Sequence, residues 1–229
     1  MNYSNFGNHR FCKTEDHVHV ELNPASWVLS SAIFGGGYRL VNHIVNLKVS
    51  ENFAGRLSGF KAPETTLEQY CSQIGLTGNA VGMMTSASMN SFRAATRCQK
   101  GVEVMCLVTA GVSNARQAGD PAECRRFGDP QCKTGTINTI ILTNAHLAKG
   151  ALVEAIITAT EAKTVALHDL GVSSRSTGAP ASGTGTDAIA IVNGWGPVDI
   201  RFCGKHVLFG EMLAHAVIEA LTASLADRD

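Results

Sequence analysis

Ile137-Asn138-Thr139-Ile140-Ile141-Leu142-Thr143, followed shortly by the run Ala148 to Leu170, decides the fold class. The first stretch is β-branched and apolar, the composition of a strand. In the second, Leu152, Ala155, Ile156, Ala159, Ala166 and Leu170 recur at helical spacing on one stripe, and Gly171 closes the helix as a C-cap. Toward the C-terminus, Ser173 to Gly185 is rich in small residues, Ala188 to Val192 reads as a strand, and Val207 to Leu225 as a last helix. That helix turns Phe209, Leu213, Ala216, Val217, Ala220 and Ser224 inward, and leaves His215 and Glu219 to solvent. Toward the N-terminus, Val81 to Ser86 and Val102 to Ala110 are strand-like, and Pro63 opens a helix that Gly75 ends after Ile74. Trp27 to Ile33 and Arg39 to Val49 flank Phe34-Gly35-Gly36-Gly37-Tyr38, a hairpin or bulged bend. Gly111 to Thr134 forms a long polar loop with Gly119-Asp120-Pro121 and Gly128-Asp129-Pro130. Strands and helices interleave without regular βαβ units. The reading is one α/β (or α+β) domain over residues 1–229, a single layered unit whose mixed, largely antiparallel sheet is packed by helices. Residues 1–21 are its polar N-terminal segment.

Composition excludes several classes. The chain has 229 residues, 45% of them hydrophobic and 17% charged, with 19 basic residues against 19 acidic ones. A zero net charge gives no field for nucleic acid or an anionic membrane, and 6% aromatic residues make a base-stacking platform improbable. No apolar run reaches the roughly 20 residues of a membrane span, and Met1 to Glu21 lacks a signal-peptide hydrophobic region. A cytoplasmic protein is expected, without nucleic-acid or membrane partners. The seven cysteines include no Cys-x-x-Cys pair, so they read as free thiols; Cys124 and Cys132 flank a turn-rich insertion.

The standard nucleophile-elbow, zincin, Walker and dinucleotide signatures are absent. Gly183-Thr184-Gly185-Thr186-Asp187 precedes a strand instead of opening a helix, so it reads as a loop that presents Asp187, or as a turn that uses its carboxylate. Lys163 falls within the apolar stripe of its helix and must snorkel, pair, or line a pocket. Glu161, two residues away, points the other way, so the two serve different surfaces. Gly204-Lys205-His206 stands just before the last helix, whose dipole favours a neutral imidazole, either as a base or as a plain surface histidine. His17 and His19 share one strand face but lack a clear third metal ligand, and no metal site is expected. Asn114, Asn138 and Asn144, with Ser113, Thr136 and Thr143 beside them, place amides and hydroxyls at strand ends, suited to an amide-rich ligand or to turns.

Five segments in order resemble the adenosylcobinamide amidohydrolase family. They are Val108 to Ala115 with Gly119-Asp120 beyond; Gly135-Thr136-Ile137-Asn138-Thr139-Ile140; Thr160-Glu161-Ala162-Lys163-Thr164; Gly183 to Ala188; and Gly204-Lys205-His206. Gly82-Met83-Met84-Thr85 and Ser30 to Gly37 extend the similarity. Val207 departs from the threonine usual in the family, and the Cys124 to Cys132 insertion is not a family feature. The resemblance implies hydrolysis of the amide that joins the aminopropanol arm to the corrin ring, giving adenosylcobyric acid and 1-amino-2-propanol. The corrinoid is then substrate, no cofactor is expected, and a homo-oligomer is compatible with the reading. Such chemistry needs a nucleophile, an oxyanion partner and an acid. Candidates are water activated by Asp187 or His206, with Lys163 or the Gly183 to Thr186 amides at the oxyanion, or Ser113 or Thr136 activated by Lys163. Glu161 completes the catalytic candidates. Ser113, Asn114, Asp120, Thr136, Asn138, Asn144, Thr184, Thr186 and Lys205 are the substrate-binding ones. The alternative is a non-catalytic corrinoid carrier on the same fold.

Overall fold

The computed structural model describes residues 2–50, 62–123 and 135–226. The Cys124 to Cys132 insertion therefore lies outside the described residues. The chain forms a mixed α/β fold around a nine-stranded sheet. Its strands are β1 (Ser4–Phe6), β2 (His9–Lys13), β3 (His17–Ser30), β4 (Gly37–Lys48), β5 (Ala80–Thr85), β6 (Arg93–Gln99), β7 (Val102–Ala110), β9 (Ile137–Thr143) and β12 (Ala188–Val192). Short pairs add β8 (Ala115–Arg116) with β11 (Gly183–Thr184), and β10 (His146–Leu147) with β13 (Asp199–Ile200). Helices are α1 (Pro63–Gln73), α2 (Lys149–Asp169) and α3 (Leu208–Ala226).

In the main sheet β4–β5 and β9–β12 pair in parallel, and the other six neighbouring pairs are antiparallel. The long strand β3 joins the halves. Its first part pairs with β2 and its last part with β12, while β4 runs along its other edge, with a register shift between Glu21 and Ser26. Val20, Val28, Ile44, Val81, Leu107, Ile140 and Leu142 form a core enclosed by the curled sheet. On the outer face, α2 and α3 cover β9 and β7 through a second core that includes Ile141, Ile191, Ala155, Ala159, Leu213 and Val217. The helix α1 sets Leu67 and Cys71 on Val45 and Leu47. By length and composition α3 could cross a membrane, yet its buried side packs on the sheet and on α2, as a core helix does.

The polar start of the chain, within residues 1–21, forms strands of the main sheet. Its polarity is absorbed by a directed hydrogen-bond chain. His43 Nε2 faces the Thr77 carbonyl at 3.0 Å and so carries the proton. His43 Nδ1 then accepts from His19 Nε2 at 3.2 Å, and His19 Nδ1 accepts from the Tyr3 hydroxyl at 3.2 Å. Both nitrogens of His19 are thereby used. Strand β6 escaped the sequence reading because Arg93-Ala94-Ala95-Thr96-Arg97-Cys98-Gln99 is an edge strand with one buried residue, Ala95. The expected bend at Gly35 to Gly37 is present; a Cβ on Gly35 would lie 2.3 Å from the Ala80 carbonyl oxygen, so only glycine fits there.

Candidate active site

The parallel unit β9–α2–β12 positions the cluster. In it the start of β12 lies beside the last third of α2, which brings Asp187 to Lys163. They form a salt bridge, with the two side chains 14% and 16% exposed. Of the three options for Lys163, to snorkel, pair or line a pocket, the structure shows pairing.

Every lone-pair direction of the Asp187 carboxylate is engaged. Oδ1 accepts from the Ile137 amide at 3.0 Å and the Thr184 hydroxyl at 2.5 Å. Oδ2 accepts from the Thr184 amide at 3.1 Å and from Lys163 Nζ. A carboxylate held by four donors is an anchor. It fixes the ammonium group, the Thr184 turn and the head of β9 in one geometry.

Around that anchor, the segments Ser113–Asn114, Gly135–Thr136 and Thr184–Thr186 converge. The Thr136 hydroxyl donates to the Thr186 carbonyl at 2.7 Å, and the Thr186 hydroxyl to the Gly135 carbonyl at 2.8 Å. Glycines keep the space open. A Cβ on Gly183 would lie 2.5 Å from Asp187 Oδ2 and 2.8 Å from Lys163 Nζ, and one on Gly135 would lie 2.7 Å from Ser113 Oγ. Ser113 is exposed, while Asn114 and Thr136 are buried. Below, the Asn138 amide donates to Asn46 Oδ1 at 2.7 Å and to the Met84 carbonyl at 2.8 Å. Asn46 in turn donates to the Thr109 hydroxyl at 2.8 Å, so the network ties the two halves of the sheet beneath the site. Asn46 and Thr109 were missed by sequence reasoning, because a single Asn or Thr within an apolar strand carries no local signal.

Five expected residues lie elsewhere. Glu161 pairs with Lys205 at the surface of α2, and the buried Thr158 hydroxyl donates to the Cys203 carbonyl of the same loop at 2.8 Å. Residues 161 and 163 are 200° apart on the helix, so this loop, with exposed His206, is on a different surface from Lys163. Asn144 caps the far end of β9, about 20 Å from Asn138 by strand rise. There it accepts from the Glu103 amide at 2.8 Å and donates to the Gly101 carbonyl at 3.0 Å, closing the β6–β7 hairpin. Asp120 staples its loop to residues 174–177, accepting from Gln117 N, Ser174 Oγ and Thr177 Oγ1. Those bonds, that from Ser174 foremost, hold its carboxyl below the usual carboxylate range.

Comparison with known proteins places this geometry in context. Of solved structures, a protein of Pyrococcus horikoshii matches with TM-score 0.48 and 16% identity over 95% of this chain and 79% of its own. A β-aminopeptidase of Burkholderia gives TM-score 0.45 and 14% identity over 98% and 80%. An uncharacterized protein of Methanocaldococcus jannaschii is 32% identical over 210 residues, 84% of this chain and 80% of the relative. The adenosylcobinamide amidohydrolase of Methanosarcina mazei is 30% identical over 199 residues, 83% of this chain and 86% of the relative. The family model described as adenosylcobinamide amidohydrolase matches residues 3–229. With that match spanning the described fold and every segment of the cluster, the chain belongs to the adenosylcobinamide amidohydrolase family.

Proposed function

We propose that this chain hydrolyses the amide between the aminopropanol arm and the corrin ring of adenosylcobinamide, releasing adenosylcobyric acid and 1-amino-2-propanol. The observation that carries the reading is the Lys163–Asp187 pair, held among hydroxyl-bearing loops. All these loops fall within the stretch matched to the family. The corrinoid is the substrate, and the groups needed for its cleavage are the chain's own.

Lys163, pinned by Asp187, offers an ammonium group at the mouth of the cluster, suited to the negative charge that develops on an amide oxygen. Asp187 acts as the positioning residue, since four donors leave its carboxylate no free direction from which to deprotonate water. Attack by a side-chain hydroxyl therefore stands ahead of attack by water activated at Asp187. Of the two candidates, Ser113 is exposed and Thr136 is buried. In this account Ser113 Oγ attacks the carbonyl carbon and its proton passes to the leaving nitrogen. Water then cleaves the ester. Glu161, Lys205 and His206 act, at most, on substrate approaching from the other side of α2. Ser113, Asn114, Thr136, Thr184 and Thr186 line the approach, and Asn138 supports it from below.

The test is incubation of purified protein with adenosylcobinamide. A new acidic corrinoid and an equal amount of free aminopropanol support the reading. Tight corrinoid binding without release of the amine would make the chain a carrier.

A further inference from the structure

The inner face of the curled sheet changes character at one end. On β4, Ile44 belongs to the enclosed core and Asn46 points the same way, since Val45 and Leu47 face α1. The inward residues run from Leu107 to Thr109 on β7, from Met83 to Thr85 on β5, and from Ile140 back to Asn138 on β9. Asn46, Thr85, Thr109 and Asn138 are each at most 2% exposed. They form a buried polar layer at the end of the core nearest the Lys163–Asp187 cluster.

Asn46 is the hub of that layer. Its Nδ2 donates to the Thr109 hydroxyl at 2.8 Å, and its Oδ1 accepts from the Asn138 amide at 2.7 Å. Strand β4 pairs with β3 and β5, so Asn46 reaches β7 and β9 across the interior of the curl. Its two partners face each other in the β7–β9 ladder, one residue before that ladder ends at Ala110 and Ile137. Each is the root of a segment of the cluster. Thr109 stands four residues before Ser113, and Asn138 follows Ile137, whose amide holds Asp187 Oδ1.

Apolar side chains at residues 46 and 109 would simply continue the enclosed core. Replacing both members of a hydrogen-bonded pair by apolar groups of similar shape is close to neutral for stability. What the amide adds is direction, because hydrogen bonds tolerate far less misalignment than apolar contacts do. A hub that grips the end of β7 and the start of β9 from a third strand limits how far either can twist.

We propose that Asn46 is a positioning residue for the hydrolysis: by clamping Thr109 and Asn138 it holds Ser113 in register with the Lys163–Asp187 pair. It touches no substrate itself. The proposal rests on the hydrolytic reading above and adds to it a residue from β4, outside the elements that carry the reacting groups.

The test measures steady-state release of 1-amino-2-propanol from adenosylcobinamide, alongside thermal melts. The proteins are wild type, Thr109→Val, Thr109→Ser, Asn46→Leu and the double variant Asn46→Leu/Thr109→Val. Thr109→Val keeps the shape and loses the accepting hydroxyl. It is expected to lower kcat about tenfold or more with KM within about threefold, because a shift of about 1 Å at the reacting groups is that costly. Thr109→Ser, which keeps the hydroxyl, stays within about threefold of the wild-type kcat. The double variant melts above Asn46→Leu, since no hydroxyl is left without its donor, yet it keeps the low kcat. Wild-type kcat in Thr109→Val, or recovery of kcat together with Tm in the double variant, would make the layer a matter of packing alone. Either result overturns the proposal and leaves the hydrolytic reading standing, as does a rise in KM with kcat unchanged. No amine release by the wild-type protein sinks the hydrolytic reading and the proposal with it.

Discussion

Lys163 and Asp187 are 24 residues apart in sequence on two different elements, yet they form the most buried ion pair recorded between described residues. The pair joins the end of the crossover helix to the strand that the crossover leads into. Removing one partner strands the other's charge in a site less than one-fifth exposed. Lys163→Met and Asp187→Asn are each expected to lower stability by about 2–4 kcal/mol and to lower kcat by about a hundredfold or more. Lys163→Met combined with Asp187→Leu should regain part of the stability and none of the activity. Thermal melts alongside turnover separate the two effects; equal recovery of both would contradict a catalytic part for the pair.

Gly183 gives a sharper probe, because nothing ionisable is removed. A methyl group there would lie 2.5 Å from Asp187 Oδ2 and 2.8 Å from Lys163 Nζ, closer than real contacts allow. Gly183→Ala should part the two side chains, with at least a tenfold loss of kcat and a fold that still melts cooperatively. Wild-type turnover in this variant would show that the spacing of the pair does not matter.

The hydroxyl that attacks can be assigned by single-turnover chemistry. Ser113→Ala is expected to abolish the rapid release of aminopropanol and any covalent corrinoid–protein species seen by mass spectrometry. Thr136→Ser, which keeps the bond to the Thr186 carbonyl, should remain within about threefold of wild type, and Thr136→Ala should lose stability through the same bond. A full burst from Ser113→Ala would return the attack to water.

Much of the fold was legible because its period was clear. The stripe from Leu152 to Leu170 marked α2, and the β-branched, apolar run Ile137 to Thr143 marked β9, all seven residues of which are buried. Lys163 stood out as the charged residue inside an apolar stripe, and Asp187 as the carboxylate of a Gly-Thr-rich turn. What stayed hidden depends on long-range pairing. The strands of residues 4–21 look polar until Tyr3, His19 and His43 are seen bonded to one another across β3 and β4. Asn144 looked like Asn138 because both are amides at strand ends. Only the direction of β9 shows that they lie at opposite ends of it. The Gly204-Lys205-His206 segment was grouped with Lys163 through the family resemblance, and the helical angle between Glu161 and Lys163 sets it on another surface.

The histidines give the stability a pH dependence. Burial, reinforced by His43 and His17, pushes the His19 imidazole down to about 4. His9 and His17 are lowered by burial as well. Imidazoles that resist protonation when folded, but accept it near 6.5 when unfolded, stabilise the fold fully above pH 6.5. That contribution is lost as pH falls from 6.5 through 4, by about 3 kcal/mol for His19. Melts between pH 7.5 and about 4.5 should show Tm falling with acid, and His19→Gln should flatten the slope. A slope unchanged in His19→Gln would remove His19 from the account.

The central claim is hydrolysis of the corrin–aminopropanol amide by the Lys163–Asp187 cluster, and one measurement bears on it most directly. Wild-type protein and Lys163→Met are mixed in excess with adenosylcobinamide, and free 1-amino-2-propanol is quantified against time. The account predicts stoichiometric release by the wild type, with release by Lys163→Met slowed at least about a hundredfold while its fold is retained. Equal release by the two proteins would contradict it.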